Sequence, residues 1–82
     1  MMSAALNSDM QMAVADAVRL VNSHSGQACV RLKFNSGDVP ELDFVANSAR
    51  VLGDRFVFTA GFETFDGSIR ELADIHAELI RR

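Results

Sequence analysis

The chain reads as a two-layer α+β domain of order α-β-β-β-α, an antiparallel meander sheet with two helices packed on one face. Three observations predict it. Residues 29–34 fold back on 40–45 with every cross-strand pair matched, apolar on one face and ionic on the other. Residues 56–62 set Phe56, Phe58, Ala60 and Phe62 on one side and Val57 and Thr59 on the other, a strand pattern. A capping-box tetrad stands before an apolar helical stripe towards each end of the chain.

Residues 1–7 read as a flexible lead-in. Ser8-Asp9-Met10-Gln11 then offers a hydroxyl at the N-cap and a glutamine at N3. Met10, Ala13, Val14, Ala17, Val18 and Val21 recur at helical spacing, and Gly26 is a natural stop, so the first helix is predicted over 9–23. His24 sits where a cation complements the helix dipole.

The hairpin follows, with strands near 28–34 and 40–46 around an Asn35-Ser36-Gly37-Asp38 turn. Val30 meets Phe44, Leu32 meets Leu42 and Phe34 meets Pro40 on the apolar face; Arg31 meets Asp43, Lys33 meets Glu41 and Cys29 meets Val45 on the other. A rival exists for its second half. Asp38-Val39-Pro40-Glu41 also has capping-box form, and Leu42, Val45, Ala46, Ala49 and Leu52 would then be a helical stripe ending at Gly53. The strand reading is preferred because it gives Glu41 and Asp43 partners that the helix leaves unused.

Asn47-Ser48 marks a bend or bulge, and Leu52-Gly53-Asp54-Arg55 a two-residue hairpin turn leading to the 56–62 strand. Gly61 to Gly67 is expected as a connecting loop. Ser68-Ile69-Arg70-Glu71 caps a final helix whose apolar side is Ile69, Leu72, Ala73, Ile75, His76, Leu79 and Ile80, with Arg70–Asp74 and Glu78–Arg82 as i,i+4 pairs. This element order resembles that of double-stranded RNA-binding domains. Those domains grip phosphates with lysines at the start of the last helix. Here that position reads Ser68-Ile69-Arg70-Glu71, with Asp74 and Glu78 following, and the function is not carried over.

The 82 residues make a single domain with 49% hydrophobic and 23% charged residues. Such a chain buries only about 60–65% of its unfolded surface, so a subunit interface would help its core. The net charge of −3 disfavours a dedicated nucleic-acid or anionic-membrane binder. Seven of the eight cations are arginine and alanine is abundant, which hints at a GC-rich coding sequence of bacterial or phage origin. A lone cysteine, no basic-then-apolar leader and no long apolar run lead us to expect a cytoplasmic protein.

Chemistry has few handholds. Phosphate loops, a nucleophile elbow and metal-ligand spacings are missing, so no cofactor and no metal are expected. Cys29 with Arg31 on the same face, His76, and the carboxylates of Glu63–Asp66 are the residues a small-ligand or catalytic domain would use. Each has a simpler structural role as strand residue, boundary histidine or turn and cap partner.

The 56–62 strand would be an unguarded sheet edge, with no Lys, Glu or Pro to blunt it. We therefore expect a non-enzymatic interaction module, an adaptor, regulator or inhibitor working by surface recognition as a homodimer. Phe56, Val57, Phe58 and Thr59 would form the edge, with Phe62 and Phe65 as exposed anchors. Cys29, Val45 and Val57 would add an apolar island on the wet face. Glu71, Asp74 and Glu78 offer a possible acidic surface to another, basic protein. The alternatives are a nucleic-acid binder using Arg31, Lys33, Arg50 and Arg55, and a ligand or catalytic domain using Cys29 and His76.

Overall fold

The computed structural model describes residues 8–38 and 41–80. Among them lie one helix, α1 (Ser8–Ser23), and six strands: β1 (Ala28–Phe34), β2 (Leu42–Ala46), β3 (Ser48–Leu52), β4 (Arg55–Ala60), β5 (Glu63–Ser68) and β6 (Leu72–Leu79). A single 3₁₀ turn, Ile69–Glu71, separates β5 from β6. The strands form two antiparallel three-stranded sheets, in the orders β2-β1-β6 and β3-β4-β5.

α1 follows its apolar stripe, burying Val14, Ala17 and Val21. Its C-terminal carbonyls at Leu20 and Val21 accept the His24 backbone N–H, and Gly26, at φ 76°, turns the chain towards β1. The first hairpin has the expected register, pairing Cys29 with Val45, Val30 with Phe44, Arg31 with Asp43 and Leu32 with Leu42. This decides residues 42–52 as extended chain. Val39, Pro40, the 1–7 lead-in and the Glu78–Arg82 pair fall wholly or partly outside the described residues.

The chain changes sheets twice. At Asn47 it leaves β2 and continues as β3, with the Asn47 N–H donating to the Thr59 carbonyl at 2.7 Å and the Asn47 Oδ1 accepting from the Gly61 N–H at 2.7 Å. It returns through the 3₁₀ turn between β5 and β6. Strands that bend and switch sheets make the corners of a two-sheet sandwich. Both hairpins of the second sheet turn on a two-residue loop led by a glycine, Gly53 at φ 62° and Gly61 at φ 65°, the arrangement of a type II′ turn.

Several expectations need correction. The second helix is absent: 72–79 is β6, paired antiparallel with β1 from Ala28↔Leu79 to Phe34↔Leu72. Its helix-like spacing has a physical cause. The register shifts between Lys33↔Asp74 and Phe34↔Leu72, leaving Ala73 as an extra residue, so Leu72 and Ile75 are both buried despite standing three apart. The Ser68–Glu71 capping box does form, on one 3₁₀ turn rather than a helix. With one helix and two sheets, the element order that resembled double-stranded RNA-binding domains is not the order of this fold.

The predicted 61–67 loop is the Gly61-Phe62 turn followed by β5, whose pairing runs from Ala60↔Glu63 to Phe56↔Gly67 and on to Arg55↔Ser68. β4 is consequently the central strand of its sheet, not an edge. Val57 lies on the second sheet, so the apolar island with Cys29 and Val45 does not exist.

The core lies between the sheets. Phe56 and Phe58 of β4, Val30 and Leu32 of β1, and Val14 and Val21 of α1 are completely buried. α1 packs against β3 and β6, one edge strand from each sheet, and covers one side of the sandwich. Opposite it, Phe44 of β2 stacks on Phe65 of β5.

Candidate functional site

The outer face of the first sheet gathers most of the residues that could carry chemistry. Burial of Ala28, Val30 and Leu32 turns Cys29, Arg31 and Lys33 outward. The register then sets Cys29 between Val45 and Glu78, Arg31 between Asp43 and His76, and Lys33 beside Asp74. Arg31 Nε lies 2.9 Å from both Asp43 Oδ1 and Glu41 Oε1, and Lys33 Nζ lies 3.9 Å from Glu41 Oε2. The hydrogen bond and charge of Asp43, then the charge of Glu41, raise the Arg31 pKa. Its cation is thus held by two carboxylates.

Cys29 and His76 are diagonal neighbours on β1 and β6, and among the described residues no hydrogen bond joins them. His76 Nε2 instead faces Glu78 Oε2 at 3.7 Å. No group of three His, Cys, Asp or Glu among the described residues is placed to hold a metal ion. This face reads as a solvated lattice of cross-strand ion pairs.

The three acidic residues expected on one helix face are separated by the fold. Glu71 turns back to accept the Ser68 backbone N–H at 3.2 Å, completing the capping box. Asp74 Oδ1 accepts from the Ile75 N–H at 2.9 Å, and Glu78 faces His76. The four cations of the nucleic-acid reading are divided as well. Arg31 and Lys33 are paired on the first sheet, whereas Arg50 and Arg55 stand on β3 and β4 of the second. A cleft of about 400 Å³ lined by Phe34, Asn35, Ser36, Arg70 and Glu71 is spanned by Asn35, whose Nδ2 donates to the Arg70 carbonyl at 3.0 Å.

The sheet edges are treated unequally. On β3, Ala49 is claimed by Asn22 of α1: the side-chain Nδ2 donates to the Ala49 carbonyl at 2.8 Å and Oδ1 accepts its N–H at 2.9 Å. One amide thus stands in for a neighbouring strand. β6 runs beside α1. β5 pairs only with β4, and among the described residues nothing pairs with its outer side.

The ladder geometry shows which groups of β5 are open. Opposite residues in an antiparallel pair alternate between bonded and non-bonded. The two-residue turn closes on Ala60↔Glu63, so Phe58↔Phe65 and Phe56↔Gly67 are the next bonded pairs. In agreement, the Thr59 carbonyl is taken by Asn47 and the Ser68 N–H by Glu71. Thr64 and Asp66 therefore direct N–H and C=O away from the sheet. Both residues are exposed, and Phe62, wholly exposed, stands on the turn beside them.

Of the residues expected at an edge interface, Phe56 and Phe58 are core, while Val57 and Thr59 are half-buried on the outer sheet face, opposite Asp66 and Thr64. Phe65 is half-buried against Phe44, and Phe62 alone of the two anchors is exposed. Thr64 and Asp66 are not expected at a sheet edge because 61–67 reads as a loop, and nothing in the sequence pattern sets Asn22 beside Ala49.

The described chain is thus an α+β sandwich in which the outer side of β5 has no strand neighbour, and among the described residues no helix is long and apolar enough to cross a membrane. Comparison with protein-family models, with curated proteins and with solved structures finds no match to it.

Proposed function

We propose that the protein is a small non-enzymatic interaction module that acts by surface recognition and associates with itself through the outer edge of β5. The observation that carries this reading is the open ladder at Thr64 and Asp66, next to the fully exposed Phe62. An unpaired edge is a template for a further strand, and an exposed aromatic beside it is the kind of side chain that dominates interfaces. The edge expected on β4 is thereby relocated to its neighbour. Its role as adaptor, regulator or inhibitor follows the same logic, since the face of ion pairs and the edge offer recognition rather than catalysis.

The test is solution mass by size-exclusion chromatography with light scattering over a concentration series. Asp66→Pro removes one outward N–H while leaving the bonds to β4 in place, a position at which an edge strand tolerates proline. The expected result is a dimer for the natural chain and a folded monomer for the variant. A natural chain that stays monomeric up to millimolar concentration would overturn the self-association.

A further inference from the structure

The geometry points to a particular occupant of the β5 edge and a particular register: the β5 of a second copy, antiparallel across a two-fold axis that passes through Phe65. This deepens the proposed self-association and rests on it.

The argument is one of sequence symmetry about Phe65. In this register Thr64 lies opposite Asp66 of the second copy, and Asp66 opposite Thr64 of the second copy. These are the residues whose backbone groups point outward, so each pair exchanges two ladder bonds, and the symmetry doubles them. Phe65 then meets Phe65 of the second copy as the central non-bonded pair, where side chains approach most closely. Glu63 lies opposite Gly67, and Phe62 opposite Ser68.

Charge selects this register against its neighbours. Thr64 and Asp66 share the outer face of the sheet, and a threonine hydroxyl opposite a carboxylate can donate to it. Shifting the axis to Asp66 would set the two Asp66 carboxylates face to face, which is destabilising in a cross-strand pair. Shifting it to Thr64 would pair Phe62 with Asp66 and Glu63 with Phe65, an apolar group against a carboxylate in each case. A one-residue slip of either strand, leaving no residue on the axis, would bring inward and outward side chains into opposition. The ladder also ends where it should: beyond Asp66 the next outward donor, the Ser68 N–H, is already used by Glu71. The assembly joins the two β3-β4-β5 sheets into one continuous sheet of six strands.

A charge cycle at Thr64 tests it, since this residue is exposed and has no side-chain partner among the described residues. Thr64→Lys sets a cation opposite Asp66 of the second copy, twice per dimer, and should tighten dissociation roughly three- to thirtyfold. Thr64→Asp sets carboxylate against carboxylate and should weaken it by a similar factor, and the double change Thr64→Asp, Asp66→Lys should restore it. Circular dichroism confirms that each variant is folded, and light scattering reads the dissociation constant. A dimer whose affinity is indifferent to both single changes would overturn this register while leaving self-association standing. A natural chain that is monomeric throughout would overturn both.

Discussion

The rings of Phe44 and Phe65 lie 4.3 Å apart and within 5° of parallel, one from each sheet. Phe44 also meets Phe58 at 5.8 Å, tilted by 58°. This stack closes the side of the sandwich that α1 does not cover. It also holds β5 from within while the outer edge of that strand stays open.

Phe44→Ala removes a half-buried ring and both of its aromatic contacts. The expected cost is about 2–4 kcal/mol, below the full range for a buried phenylalanine because the site is partly exposed. Urea denaturation of the two proteins measures it. A loss under about 0.5 kcal/mol would mean the stack contributes nothing beyond surface contact.

Asn22→Ala abolishes both bonds to Ala49 and should cost about 1–3 kcal/mol. It also bares the β3 edge, so the variant should aggregate faster on heating than one of equal stability altered in the core. Asn22→Asp keeps the acceptor for the Ala49 N–H but sets a carboxylate against the Ala49 carbonyl, and it should recover only part of the loss. Thermal melts followed by light scattering separate the two effects.

Gly67 is buried under Phe56, and a β-carbon there would come within 3.2 Å of Phe56 Cζ. Gly67→Ala should therefore destabilise by roughly 1–3 kcal/mol through displacement of a core ring. Near-ultraviolet circular dichroism of the phenylalanines should change with it. An unperturbed spectrum and unchanged stability would show that the core yields at this point.

Ser68→Ala and Glu71→Ala each break one half of the capping box, and the double change should cost less than the sum of the singles. Each single loss is expected near 1 kcal/mol. Ser68 Oγ also donates to Asp54 Oδ2 at 3.3 Å, so the serine change should be the larger. A double-mutant cycle in urea gives the coupling.

Phe62→Ser removes an apolar side chain that is wholly exposed in the single chain. Stability should stay within about 0.5 kcal/mol, while self-association should weaken. Equal dissociation constants for the two proteins, by analytical ultracentrifugation, would exclude Phe62 from the interface.

Much of the local structure was legible in the chain. The β1–β2 register followed from residues a few positions apart, because alternation sorts apolar from charged side chains and opposite charges name their partners. Ser8–Ser23 was legible from its stripe, and Gly53 from its turn. In the last third two local signals agree on a helix that does not form. The capping box at Ser68–Glu71 is real, and the three-residue steps from Ile69 to Leu72 to Ile75 are real. Their cause is a 3₁₀ corner and a bulge at Ala73, features that exist only once β6 lies against β1. The candidate site shared that fate, since the open edge moved from β4 to β5 as soon as the 61–67 loop became a strand.

The sequence by itself determined which segments have an apolar face and which neighbours pair across the first hairpin. These depend on contacts close in the chain, where alternation and charge leave few choices. Only the tertiary structure decided that the chain crosses between two sheets at Asn47 and at Ile69–Glu71, and so that β5 rather than β4 lies at a sheet edge. Those choices rest on pairings between residues tens of positions apart, such as Ala28 with Leu79, whose energy comes from burying both sheets against one core.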